Sequence, residues 1–394
     1  MSNSEWVERT EAVLQESVDA HMVADVEVGT FLSGGVDSSL VTSAAANGRS
    51  SIRAYTINFK NEPSTEGVFA QDVANRIGLE NHILTEVESA SLNLVDKLVH
   101  FYDEPFSDSS MFPTFLVCES SSSQLKVCLS GDGGDELFSG YRHHLFASRL
   151  NWTTRLPDFL MRSMFDGIGR LLKSDRRSYE WSRRLSQSAE KRMQSFMRVP
   201  GNAYRIDLLN AEYRENRDER EWQINRYLEQ TKDLPPVTRA QMFDILFYLP
   251  GDMLTKVDRA SMANSLEVRV PFLSKKVAEF ALSIPEHQRF HDRQAKYILR
   301  ELMRKKFGTE HSQRRKKGFS IPLIDWLRNF DRQRLLDLTV DSKPVKHGIL
   351  NRHAVDRMFQ NVVSTKRKSF VESSSATDLF SVLFFSVWWS KNLG

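Results

Sequence analysis

Cysteine is scarce in this chain: Cys118 and Cys128 are the only two in 394 residues. Two thiols cannot build the disulfide framework of a small secreted domain, and they read as core residues of a protein from a reducing, cytoplasmic setting. A strong excess of one charge is missing too. The formal net charge of +3 gives no reason to expect the concentrated basic face that nucleic acid or acidic lipid would need. The longest nearly apolar run, Leu379 to Trp389, is broken by Ser381 and Ser386 and is too short for a bilayer, so it reads as a core helix. The opening Met1-Ser2-Asn3-Ser4-Glu5 has no basic segment leading into an apolar one, so no secretory signal is expected. No internal repeat or low-complexity segment is found.

What remains is an ordinary globular composition. With 40% apolar and 27% charged residues the chain can bury a sizeable core, and its length favours about two domains. Residues 1–150 alternate helical and extended signals. Trp6, Val13, Leu14, Val18 and His21 share a helical face, Val26 to Leu32 reads as a strand running into glycines, and a helix should begin near Asp37. Ile52 to Phe59, His82 to Thr85 and Lys126 to Leu129 read as further strands, with helices over Glu66 to Ile77 and near Ser89 to His100. The Ser120 to Ser123 run should link a helix to the next strand. This alternation predicts an α/β fold whose parallel sheet is flanked by helices and binds ligands beyond the carboxyl ends of its strands. Residues 151–394 lose the extended runs and turn to charged amphipathic stretches anchored by Trp181, Phe196, Phe243 and Tyr248, so a mostly helical part is expected. Pro200-Gly201-Asn202 and Pro235-Pro236 read as loops.

The segment Phe31-Leu32-Ser33-Gly34-Gly35-Val36-Asp37-Ser38-Ser39 puts a glycine-rich turn between a strand and a helix start. Backbone N–H groups there, with the positive end of the helix dipole, can cradle phosphate oxygens, and Ser33, Ser38 and Ser39 add hydroxyls. Gly29 and Gly34 have the spacing of a Walker loop, but Gly35 stands where that loop needs lysine, so transfer of a γ-phosphate is not expected. Asp37 beside phosphates requires an intervening cation, for which magnesium is suited. Ser-Gly-Gly-x-Asp-Ser resembles the pyrophosphate loop of the ATP pyrophosphatases, the PP-loop superfamily, which implies attack at the α-phosphate of ATP.

A second loop, Leu129 to Tyr141, sets Asp132, Asp135 and Glu136 among Gly131, Gly133, Gly134 and Gly140 directly after a strand. It is no dinucleotide fingerprint, because Glu136 occupies the place of the third glycine. The pair His287 and His291 has zinc-helix spacing, but Gln288 replaces the catalytic glutamate, so both are read as surface residues.

The blocks Asp103-Glu104-Pro105-Phe106-Ser107-Asp108-Ser109-Ser110, Ser130 to Tyr141, Asp258-Arg259-Ala260-Ser261-Met262-Ala263, Leu266-Glu267-Val268-Arg269-Val270-Pro271-Phe272-Leu273 and Lys316-Lys317-Gly318-Phe319 follow in this order. Together they resemble the synthetase domain of glutamine-hydrolysing asparagine synthetases, a family with β-lactam-forming and peptide-cyclising relatives. The resemblance implies one continuous synthetase domain of the adenine nucleotide alpha hydrolase-like, PP-loop type, using ATP and magnesium. It implies that Leu32, Ile57, Ser130 and Gly131 hold adenine and ribose, and that Ser33, Gly34, Gly35, Ser38 and Ser39 surround the pyrophosphate. By the same resemblance Asp37 and Asp135 bind magnesium, Asp132 replaces a glutamate used in forming the acyl-adenylate, and Lys316 stabilises charge at the α-phosphate. Asp258, Arg259, Glu267 and Arg269 are read as buried ion pairs and caps in supporting roles.

Two departures matter. Residue 2 is serine where the glutamine-hydrolysing relatives carry a catalytic cysteine, so free ammonia, a separate glutaminase subunit or another amine is expected to supply nitrogen. Ser274 follows Pro271-Phe272-Leu273 where aspartate is frequent. Aspartate is the leading carboxylate, with a sugar- or peptide-borne carboxylate as the alternative. A tRNA-modifying reading, suggested by Lys366-Arg367-Lys368, lacks a thiol pair suited to sulfur transfer. An idle scaffold would have no use for Asp37, Asp135 and Lys316.

Overall fold

The computed structural model describes residues 1–59, 66–87, 92–149, 153, 156–171, 182–188, 191–193, 206–214, 218–291, 294–314, 321–364 and 370–394. Helix α1 (Asn3–His21) opens on a capping box in which the Ser2 hydroxyl accepts from the Glu5 N–H and the Glu5 carboxylate accepts from the Ser2 N–H. The chain then runs through β1 (Val28–Phe31), α2 (Val36–Ala45), β2 (Arg53–Phe59), α3 (Glu66–Arg76) and β3 (Asn81–Val87). It continues through α4 (Leu92–Tyr102), α5 (Met111–Ser122), β4 (Val127–Leu129), α6 (Gly134–Leu137) and α7 (Arg142–Arg149). Helix α5 ends inside the serine run, which does link it to β4.

The sheet is all parallel with strand order β3-β2-β1-β4-β5, where β5 is Glu267–Arg269. This fifth strand corrects the expectation that extended structure ends near residue 150. It pairs Cys128 with Val268 and is three residues long, too brief for a period-2 signal to declare it. Between β1 and β4 the strand order reverses, which is where open parallel sheets leave a crevice for ligands.

Successive strand residues point to opposite faces, and they separate cleanly into two cores. Val28, Ala54, Val127 and Leu129 join α1, α2, α3 and the helix Tyr297–Phe307 on one side. Tyr55, Ile57, Phe59 and Cys128 join α4, α5 and the helices Leu323–Asn329, Arg352–Ser364 and Phe370–Asn392 on the other. Both faces are therefore closed by helices from the later part of the chain. The run Leu379 to Trp389 lies in Phe370–Asn392 and buries Leu379, Phe380, Leu383 and Phe384. Among the described residues no helix is long and apolar enough to cross a membrane. Phe243 is buried in a third, smaller cluster, while Trp181, Phe196, the loop at 200–202 and the basic run at 366–368 lie outside the described residues. Pro235 and Pro236 open the helix Pro236–Phe243, with Pro236 at its first position.

Phe112 of α5 joins the two parts of the chain. It is 0% exposed, and its ring centroid lies 5.3 Å from that of Trp326, 5.9 Å from Phe380 and 6.0 Å from Phe384. Phe112→Ala should cost about 3–5 kcal/mol of stability in urea unfolding. If sheet and C-terminal helices share this core, the loss appears as one displaced transition. A variant that unfolds in two separate steps would contradict the shared core.

Candidate active site

The two glycine-rich loops meet at the strand-order reversal. In the first, Gly34 takes a left-handed backbone (φ 67°) and passes so close to α3 that a Cβ there would sit 2.7 Å from the Ala70 nitrogen. The Ser33 N–H donates to the Ser38 hydroxyl at 3.1 Å, and the Ser33 and Ser38 hydroxyls are 2.9 Å apart. No side chain caps α2, so its first N–H groups open onto this loop, with Asp37 in the first turn. In the second loop the Ser130 hydroxyl donates to Asp132 at 2.7 Å. Gly134 lies against Asp37: a Cβ there would stand 2.5 Å from Asp37 Oδ1, so only glycine lets the loops close to this distance.

The closure brings Asp37 and Asp135 together. Lys296 Nζ sits between them, 2.5 Å from Asp37 Oδ2 and 2.7 Å from Asp135 Oδ1. Lys296 is 5% exposed and has a left-handed backbone (φ 63°) at the start of Tyr297–Phe307. Burial works against its charge, but the carboxylates of Asp135 and Asp37 outweigh that and raise its pKa above the ordinary lysine value. The sheet, both loops and the later helices enclose a cavity of about 370 Å³. Leu32, Ser33, Gly34, Gly35, Asp37, Ser38, Ile57, Ser130, Gly131, Asp132 and Asp135 all line it. Ser39 is fully buried in α2 and is not among the lining residues.

Sequence reasoning missed the basic side of the cavity: Lys256, Lys296, Arg300 and Arg314 all line it. Lys256 Nζ donates to Ser110 Oγ at 2.8 Å and lies 3.4 Å from Asp108 Oδ2. Burial alone would raise the Asp108 carboxyl, but Lys256 and Ser110 pull it below the usual range. Arg314 donates to the Gly34 carbonyl at 3.1 Å with its guanidinium 4.4 Å from the Phe69 ring centre. None of these four lies near a glycine loop in the chain, so no local spacing could reveal them. Lys316 and its neighbour Lys317 lie outside the described residues.

Asp258 and Arg259 are exposed rather than buried. Arg269 pairs with Glu267 at 2.6 Å on a half-exposed edge and donates to the carbonyls of His21 and Val23, which ties α1 to β5. Ser274 is the N-cap of Lys275–Ser283, its hydroxyl accepting from the Val277 N–H at 3.4 Å. Aspartate serves equally well as a cap, so this departure concerns a helix start. His287 and His291 are both exposed.

Fold and site define the PP-loop class of α/β proteins, with paired glycine loops at the carboxyl ends of β1 and β4. The family model described as Asparagine synthase matches residues 9–390, and the chain belongs to that family, carrying its ligase-type synthetase domain. It is 28% identical over 388 residues to asparagine synthetase [glutamine-hydrolyzing] 1 of Bacillus subtilis, covering 98% of this chain and 60% of the relative. It is 32% identical over 379 residues to a putative asparagine synthetase [glutamine-hydrolyzing] of Mycobacterium bovis, covering 96% and 56% respectively. Amidase chyE of Penicillium rubens is 26% identical over 372 residues, covering 82% of this chain and 54% of that protein. The chain thus spans between 54% and 60% of the length of these relatives.

Glu136 closes the second loop from behind. It is 1% exposed and accepts a hydrogen bond from the Tyr141 hydroxyl. Burial, and then the charge of Asp135, push its carboxyl up from 4.5 to about 7. The folded chain therefore holds this proton more tightly than the unfolded chain. The stability it contributes is complete below pH 4.5 and is lost as pH rises through about 7. Glu136→Gln mimics the neutral form. In metal-free buffer the variant should match the parent near pH 4.5 and exceed it by about 3 kcal/mol above pH 7. Urea midpoints across this range check it, and a pH-independent difference would refute it.

Proposed function

We propose that this chain is the ATP-using synthetase part of an asparagine-forming enzyme, which activates aspartate as an acyl-adenylate and releases AMP and pyrophosphate. The observation that carries this reading is the convergence of Asp37 and Asp135 on one cation-sized point where the strand order reverses. Carboxylate oxygens on two rigid loops suit a magnesium ion shared with phosphate oxygens, and Asp37 and Asp135 would hold it. Bound there, the ion neutralises charge on the polyphosphate.

The chain's own groups divide the remaining work. The Ser33 to Ser38 turn and the uncapped start of α2 donate to the outer phosphates. Lys296, Arg300 and Arg314 add positive charge there and favour departure of pyrophosphate. Leu32 and Ile57 offer an apolar wall to adenine, with Ser130 and Gly131 near the ribose. A substrate carboxylate oxygen bonds to the α-phosphorus as the bond from that phosphorus to the bridging oxygen breaks. The amine nitrogen then bonds to the acyl carbon and loses a proton, and AMP leaves. Asp132 is assigned to the adenylation step and Lys316 to the charge developing at the α-phosphate.

The nitrogen reaches the acyl-adenylate as ammonia, and no nucleic acid or membrane partner enters the reading. The buried free thiols Cys118 and Cys128 suit a cytoplasmic enzyme. With ATP, magnesium, aspartate and ammonia the purified chain should form AMP, pyrophosphate and asparagine in equal amounts, and glutamine in place of ammonia should give only background. Accumulation of ADP would sink the adenylation chemistry. Turnover with a sugar- or peptide-borne carboxylate and none with aspartate would transfer the assignment to that substrate class. Lys316→Ala should lower kcat about 10²–10³-fold.

A further inference from the structure

Behind the wall of the cavity, a cluster that the adenylation chemistry does not use draws three side chains onto one point. His143 and His144 are consecutive on α7, and Asp244 begins the π-helix Asp244–Leu254. His143 Nε2 lies 2.6 Å and His144 Nε2 lies 2.7 Å from Asp244 Oδ2, and one ligand atom from each residue falls within 4.8 Å of the others. The side chains of His144 and Asp244 are 0% exposed and that of His143 is 16% exposed.

A shared proton accounts for only part of this. His143 makes a hydrogen bond to Asp244, but His144, equally close, does not meet the direction that an N–H bond needs. Both ring nitrogens of His144 and Asp244 Oδ1 are buried with no hydrogen-bond partner. Buried polar atoms are rarely left so in a native core, and three in one cluster require an explanation. A cation held among three potential ligand atoms this close together would supply one.

We propose that His143, His144 and Asp244 bind a single first-row divalent cation of the zinc type. Two imidazole nitrogens and a carboxylate oxygen match the three-ligand sets that zinc takes with a fourth position open to water. Magnesium and calcium favour oxygen-only sets, so this site differs in kind from the Asp37 and Asp135 pair. The 16% exposure of His143 leaves this edge of the cluster in contact with solvent. The Tyr141 ring stacks on His143 at 5.3 Å and 15°, fixing its orientation. The ion would clamp α7 to the π-helix that carries Tyr248, a residue of the cavity wall.

The untagged chain, stripped with a chelator and titrated with zinc or cobalt(II), tests this. One equivalent of zinc should survive gel filtration, cobalt should give the visible absorption of a four-coordinate site, and the ion should raise the thermal midpoint. His143→Gln, at a partly exposed position, should weaken zinc at least about tenfold, measured by competition with a chelating dye. Asp37→Asn should leave that affinity unchanged. If His143→Gln folds poorly, Asp244→Asn serves the same purpose with its shape retained. Failure to retain zinc, equal affinity in parent and His143→Gln, or loss of the ion with Asp37→Asn would each overturn the site.

Discussion

The ammonium of Lys296, held between Asp37 and Asp135, is the contact on which the arrangement of the cavity depends. Two carboxylates brought together in a poorly screened interior repel, and only a cation between them lets both stay ionised. Lys296 can reach that point because Tyr297–Phe307 packs on the sheet through Ile298, Leu299, Leu302 and Met303, which fixes the helix start above the two loops. The loops can reach it because Gly134 carries no side chain against Asp37 and Gly131 none against Ser38, where a Cβ would fall 2.7 Å from the backbone nitrogen. Sheet order, helix packing and glycine placement thus converge on a few ångströms of space.

This contact has a consequence for the proposed reaction. A magnesium ion coordinated by both carboxylates would compete with the ammonium for the same oxygens, so Lys296 would have to turn to another anion. On the proposed reading the phosphates of the nucleotide would be that anion. Metal and polyphosphate are therefore expected to enter together, each removing the charge imbalance the other would create. The cavity is also unbuildable from the first 150 residues alone, since Lys256, Lys296, Arg300 and Arg314 come from later helices.

Legibility in the sequence follows from how local each signal is. Strands β1, β2 and β4 were readable because apolar runs meet glycine or a polar turn, and the carboxylates of both loops because they sit directly after such strands. Strand β3 was read as His82 to Thr85 but extends over Asn81–Val87, since pairing with β2 rather than its own pattern sets its length. Strand β5 was legible only as part of a family block, its three residues offering one inward valine. Lys296 was invisible, because its role comes from a helix start 259 residues from Asp37 in the chain. Asp258 and Arg259, expected as buried ion pairs or caps, lie on the outer side of a helix whose inner side buries Lys256, Val257 and Ala260.

The segment Asp244–Leu254 illustrates a constraint that composition conceals. Pro250 lies inside it, lacks an N–H and would clash with the carbonyl of a regular α-helix one turn earlier. Wider π turns relieve that clash, and the Thr255 hydroxyl donates to the Pro250 carbonyl at 2.8 Å, satisfying one of the groups such a distortion leaves over. Widening also rotates the residues that follow relative to those before. Asp244 can then reach the histidines of α7 while Tyr248 and Met253 line the cavity. A straight helix through the same endpoints would carry the proline as strain. The irregularity is thus the condition under which one helix serves both the buried histidine cluster and the nucleotide-sized cavity.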